Sequence, residues 1–250
     1  MGNSVINPRF TSLKNSMNMR IVIRIVTLIS IAFFGILHSG LQAQNDLFVC
    51  LQSGISMPLG QFAGTTLDED CFARPGISYG GEATWFFLPN FGVGIEANIN
   101  NNPIDLATLT QKKMEAEPSL ENLTIRSESF QTATIVGGVY GRYSILEGLT
   151  FTGKLLAGYM RSNTPYQVYR AQFYFIGPLT YEITSSRDDG FIVIPGLGMS
   201  YMFKRGLGCK LDGEYISRQM SFPFSTPTGV RIDERKVRFI QVLVGLVIEF

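Results

Sequence analysis

The sequence predicts an all-β protein, an eight-stranded antiparallel up-and-down transmembrane β-barrel. Three observations lead there. The chain ends on a long strand of barrel character, eight segments alternate apolar and polar residues with a period of two, and the connections between them are alternately short and long. The composition agrees. Gly 26, Phe 19 and Tyr 10, with charged residues at only 16% of 250, are the usage of an aromatic, sheet-rich chain.

The final stretch, Lys236–Phe250 (K-V-R-F-I-Q-V-L-V-G-L-V-I-E-F), carries most of the weight. Phe250, Ile248, Leu246, Val244, Val242 and Ile240 fall on one face, and the other face is read as Glu249, Gly245, Gln241 and Arg238 among Val247, Leu243, Phe239 and Val237. In water such an edge strand invites aggregation; in a closed membrane barrel it pairs on both sides and lipid covers its apolar face.

From the start of the chain, residues 1–43 have the form of a signal peptide. Arg9, Lys14, Arg20 and Arg24 make a basic region without an acid, Ile21–Leu37 is the one long apolar run, and Ala43 is a small residue suited to cleavage. Arg24 interrupts the run and leaves it short of the ~20 apolar residues of a spanning helix. Any membrane residence then falls to strands in residues 44–250, the expected barrel domain. Without the leader's four bases the formal charge falls from +1 to −3, and no basic patch for nucleic acid remains.

The first strand is Leu47–Leu59, with Leu47, Val49, Leu51, Ile55 and Met57 outward and Gln52, Gly54 and Ser56 inward. The second, Ile77–Phe87, turns Tyr79, Ala83, Trp85 and Phe87 out and Ser78, Gly80, Glu82 and Thr84 in. A Leu88-Pro89-Asn90 turn leads to the third, Phe91–Asn100, where Val93, Ile95, Ala97 and Ile99 alternate with Gly94, Glu96, Asn98 and Asn100. The fourth (Phe130–Ser144) has Tyr140 and Arg142 inward, and the fifth (Leu149–Met160) has Thr150, Thr152 and Lys154 inward. The sixth (Phe191–Phe203) shows Phe191, Val193, Leu197, Met199, Tyr201 and Phe203 outward. The seventh (Leu207–Met220) points Lys210, Asp212, Glu214 and Arg218 inward, and the C-terminal stretch is the eighth.

Turns after strands two, four and six take a few residues, whereas those after one, three, five and seven take roughly 13 to 30, the asymmetry of bacterial outer-membrane barrels with the short side periplasmic. Phe87, Phe91, Tyr143, Phe203 and Phe250 then share the lower rim as an aromatic girdle. The run Gly54-Ile55-Ser56-Met57-Pro58-Leu59-Gly60-Gln61-Phe62, the turn asymmetry and the terminal Phe250 together resemble the small outer-membrane β-barrel family, the OmpA/OmpX-like and PorT-like barrels. That resemblance implies residence in the bacterial outer membrane among its lipids. It also implies recognition of Phe250, Ile248 and Leu246 by the barrel assembly machinery, and a role in envelope integrity, adhesion or secretion; a monomer is expected. The alternatives are a narrow pore or transporter, and a soluble periplasmic lipocalin-like barrel with its apolar face inside.

The candidate lumen charges are Glu82, Glu96, Arg142, Lys154, Lys210, Asp212, Glu214 and Arg218, four of each sign. An eight-stranded barrel is just wide enough for side chains to fill, so they are expected to form a salt-bridged plug. No enzyme is expected, because the one histidine, His38, lies in the leader and no Ser–His or Asp–His site can be built. No cofactor or metal site is expected either; Asp68-Glu69-Asp70 beside Cys71 reads as a solvated loop. Cys50, Cys71 and Cys209 are an odd set placed apart, and no disulfide is expected. Two connections hold the functional information. Ile104–Ser119 has helix formers and is expected to lie over the mouth. Arg161–Gly190 reads as a hairpin around Ile176-Gly177-Pro178 that extends strands five and six, with Tyr166, Tyr169, Phe173, Tyr174, Phe175 and Tyr181 available to a protein partner of the envelope or exterior.

Overall fold

The computed structural model describes residues 46–250 apart from Ile176, Arg205, Pro227 and Thr228; the expected leader, its cleavage after Ala43 and His38 lie outside the described residues. In chain order the elements are β1 (Asp46–Pro58), β2 (Gly76–Phe86), β3 (Phe91–Asn102), helix α1 (Leu106–Ala116), β4 (Leu120–Ser127) and β5 (Phe130–Leu146). They continue with β6 (Leu149–Asn163), β7 (Gln167–Phe173), β8 (Gly177–Ile183), β9 (Arg187–Lys204), β10 (Leu207–Thr226) and β11 (Gly229–Glu249). Eight of the strands close into an antiparallel barrel in the order β1-β11-β10-β9-β6-β5-β3-β2. Closure is made by β1 and β11, in register from Phe48 opposite Glu249 to Pro58 opposite Phe239. The Phe250 N–H donates to the Leu47 carbonyl at 2.9 Å and ends the seam.

The barrel strands form where the alternation is strict, because each strand has two different surroundings to satisfy. Outward positions such as Leu51, Ile95, Ile135 and Leu197 are exposed, and inward neighbours such as Gln52, Glu96, Thr134 and Gly196 line the interior. At the end with the short turns, Gly148 and Gly206 take φ of 83° and 84°, backbone that a side chain would strain. Phe91, Tyr143, Phe203 and Phe250 are exposed at that same end. Phe87 is half-buried, its ring centroid 5.8 Å from that of Trp85.

Three expectations are corrected at the other end, and one strand is added. The segment after the seventh strand is no loop: β10 and β11 stay paired as far as Thr226 opposite Gly229, a tall two-stranded ribbon. The hairpin of β7 and β8 is not a continuation of the barrel strands. Those strands rise only to Asn163 opposite Arg187, and the hairpin joins β4 in a separate three-stranded sheet of order β4-β7-β8. Strand β4 was not expected at all, since a register shift between Leu120 and Asn122 breaks its alternation. Arg238 belongs to the outward parity with Ile240 and Val242, because Val237 and Phe239 on either side of it are the buried positions.

The expected helix is α1, begun by Asp105, whose carboxylate accepts from the Thr108 N–H at 3.2 Å and from its hydroxyl at 2.9 Å. It packs on β4, and Leu109, Leu120, Leu123, Ile125, Tyr169 and Ala171 are buried in this outer assembly. No helix among the described residues is long and apolar enough to cross a membrane, which says nothing of the strands.

Candidate functional site

The barrel interior is stacked in layers, and its middle layer is charged. Lys154 on β6 brings its Nζ to 3.1 Å from Glu82, 2.7 Å from Glu96 and 3.0 Å from Asp212, and also pairs with Glu214. Lys210 on β10 reaches Glu82 at 2.5 Å and Asp212 at 2.8 Å. All six side chains are buried. Gly196 makes the space, since a Cβ there would stand 2.9 Å from Lys154 Cε and 3.0 Å from Glu214 Cγ.

Of the eight expected lumen charges, the fold brings these six together and leaves two apart. Arg142 lies lower, at the short-turn end, where it donates to Asp46 at 2.6 Å and to the Pro89 carbonyl at 2.7 Å. Its guanidinium also sits 4.3 Å from the Phe86 ring centroid. Arg218 lies four residues beyond Glu214 on β10, about 13 Å up the strand, and donates to the Phe191 and Asp189 carbonyls at 2.9 and 3.1 Å. The charge layer therefore holds four carboxylates and two ammonium groups rather than a balanced set.

Sequence reasoning missed the neutral partners of this layer. Gln52 donates to Glu96 at 3.2 Å, Thr84 to Glu82 at 3.1 Å and Gln241 to Glu214 at 2.5 Å, while Asn98 is hydrogen-bonded to Glu96. Inward parity was the signal that marked them, since Asn98 is two residues from Glu96 and Thr84 two from Glu82 on the same faces. Burying carboxylates without such donors would be costly.

Above the charges the interior divides. Ser56, Ser78, Asn100 and Asn102 form a polar side on β1–β3, and Leu156, Met160, Ile194, Ile216, Met220, Phe222 and Phe239 form an apolar side on β6, β9, β10 and β11. Phe62, in the turn that follows β1, is fully buried there, with ring centroids 5.3 Å from Phe130 and 6.2 Å from Phe239. Below the charges lies a cavity of about 290 Å³, lined by Phe48, Cys50, Thr84, Tyr140 and Thr152 and bounded inwardly by Glu82 and Lys210.

The outer loops arrange their aromatics unequally. Tyr169 is buried, stacked on Tyr181 with ring centroids 4.7 Å apart, and the Lys113 ammonium stands 5.3 Å from the Tyr169 ring centroid. Phe173 packs against the core and Tyr166 is half-buried. Tyr174, Phe175 and Tyr181 are exposed, Phe175 to 93%. A cavity of about 440 Å³ is bounded by residues of all four outer connections, among them Asp70, Leu109, Tyr169 and Phe222.

Outside the barrel strands, the backbone hydrogen bond from Thr108 holds the Asp105 carboxyl below its usual range. Burial pushes the Tyr181 phenol up, and pushes the Cys71 thiol up to about 12. Cys50, Cys71 and Cys209 are free thiols. Among the described residues no group of three or more His, Cys, Asp or Glu side chains is placed to hold a metal ion.

Leu246, Ile248 and Phe250 all face out of the barrel. No family model matches the chain, and no curated protein matches it. Solved structures similar to it include Neisserial surface protein A, with 10% identity over 82% of this chain and 97% of that one at a TM-score of 0.46. The outer membrane protein OprG of Pseudomonas aeruginosa has 11% identity over 83% and 97% at 0.46. Ail, the attachment invasion locus protein of Yersinia pestis, has 14% identity over 81% and 98% at 0.43.

Proposed function

We propose that the chain is a non-enzymatic integral protein of the bacterial outer membrane, a monomeric closed barrel that presents its outer loops to a protein partner. The observation that carries the membrane reading is the exterior. Around the barrel the outward positions are large and apolar and stand open to the surroundings, Leu51 at 74%, Ile135 at 71% and Leu197 at 75%. A continuous apolar belt of that kind is insoluble in water and suited to lipid. Closure of β1 on β11 leaves the barrel no free edge, as a span made of strands requires. A lipocalin-like protein in water would need a polar exterior. Residues 1–43 serve in this reading as the export signal, and Phe250, Ile248 and Leu246 as the mark read during assembly.

The partner reading rests on Tyr174, Phe175 and Tyr181. These aromatics project from a hairpin that is itself held by β4 and α1, so they are presented from a packed base. Exposed aromatics on a rigid base lose little entropy on binding and are common anchors. The open side of β8 also offers backbone groups for strand addition. The test replaces Tyr166–Tyr181 with a short glycine–serine turn. The shift in gel mobility between unboiled and boiled samples should persist, and binding of the envelope partner should be lost. Undiminished binding by that variant would remove the loops from the role.

The plug role of the charge layer favours an interaction protein over a pore. Six acidic and basic side chains locked on one another and an apolar packing above them leave ions without a path of hydration.

A further inference from the structure

We infer that the cavity below the charge layer is a binding site for a small organic ammonium ion, entered from the short-turn end of the barrel. Three independent features meet there. The first is charge. Glu82, Glu96, Asp212 and Glu214 face Lys154 and Lys210 in a buried layer, four carboxyl groups against two ammonium groups. Arg142 is committed to Asp46, and Arg218 is about 13 Å up β10 from Glu214. In a medium of low dielectric this excess acts across the neighbouring cavity and draws a cation into it.

The second feature is unspent hydrogen-bonding capacity. The Tyr140 hydroxyl, on a side chain only 1% exposed, lines the cavity and has no hydrogen-bond partner. A buried hydroxyl left alone is costly, and a ligand N–H supplies what it lacks. The hydroxyls of Thr84 and Thr152 stand on the same walls. Lys210 and Arg142 also border the space, but Lys210 is engaged by Glu82 and Asp212 and Arg142 by Asp46, so their charges are already answered.

The third feature is size. About 290 Å³ is far more than a bare metal ion occupies, and no metal-ligand grouping exists among the described residues. It suits an amine with a short carbon chain, whose methylenes would lie against Met202 and Val247, since the Phe48 and Phe86 ring faces already carry the Arg142 guanidinium. This site is independent of the outer loops and stands or falls without them.

The test uses the protein purified from membranes in detergent, with putrescine as the probe, erythritol as a neutral molecule of similar length, and potassium chloride at matched ionic strength. Putrescine should raise the temperature at which the folded gel form is lost, with saturation, and should slow alkylation of Cys50 as read by peptide mapping. Erythritol and salt should do neither. Tyr140→Phe removes the acceptor and Glu82→Gln one of the charges, and each should weaken putrescine about tenfold. Equal effects of putrescine and salt, or an unchanged affinity in both variants, would overturn the inference. The Cys50 measurement on the unaltered protein decides the matter even where a variant does not fold.

Discussion

At the scale of single residues, Lys154 is the member of the interior that the others depend on. It touches four carboxylates, and Lys154→Met would leave them to Lys210 alone. Breaking a buried ion network from one side costs about 3–5 kcal/mol, so the unfolding free energy from denaturant titration should fall by that amount. Pairing Lys154→Met with Glu96→Gln and Glu214→Gln should return much of the loss, because the uncompensated charges leave together. Strictly additive effects would mean that Lys154 acts by packing alone. Cys71 offers a second residue-scale measurement. Burial holds its proton until about pH 12, whereas an unfolded thiol releases it near 8.5. The folded loop therefore loses stability as pH rises through that interval. At pH 8.5 alkylation of Cys71 should be on the order of a thousandfold slower than in the boiled protein. Equal rates would place the thiol in solvent.

At the scale of elements, the barrel strands were legible and the outer sheet was not, for one physical reason. A barrel strand has two different surroundings, the exterior and the lumen, and must alternate along its whole length, as Phe91–Asn100 does without a fault. Strand β4 has only a small assembly to satisfy, and its irregularity at Leu120–Asn122 hides the period. The helix was legible from its composition, while its cap, Asp105, required the structure. The lumen charges were legible by parity, but parity cannot say which of them meet: Arg142 and Arg218 share the inward face and still lie apart from the cluster. The inward apolar residues Leu156, Met160, Ile194 and Phe239 were visible too, yet a barrel read as polar inside gave them no role. The outer assembly separates packing from presentation. Tyr169→Ala empties a buried site and should cost about 3 kcal/mol of local stability, seen as faster proteolysis of the β7–β8 hairpin with the barrel intact. Phe175→Ala, at the exposed tip, should leave proteolysis unchanged and weaken partner binding. Parallel losses in both variants would show that the tip has no recognition role of its own.

At the scale of the whole molecule, the order of the layers decides whether the barrel conducts. A channel needs a continuous hydrated path, and this interior has two obstacles in series, the interlocked charges and the apolar packing around Phe62, Phe130 and Phe239 above them. The two fail differently. Neutralising Glu82 or Lys154 loosens the charge layer, and water can follow a polar wall. The apolar layer is indifferent to those substitutions, and dewetting keeps ions out of it. Planar-bilayer recordings should therefore be silent for the unaltered protein and equally silent for Glu82→Gln. Openings should be seen only when the upper packing is also removed, in a variant that adds Phe62→Ala and Phe239→Ala. If Glu82→Gln alone gives steady conductance, the charge layer was the only barrier, and the barrel is better read as a gated pore than as a closed platform for its outer loops.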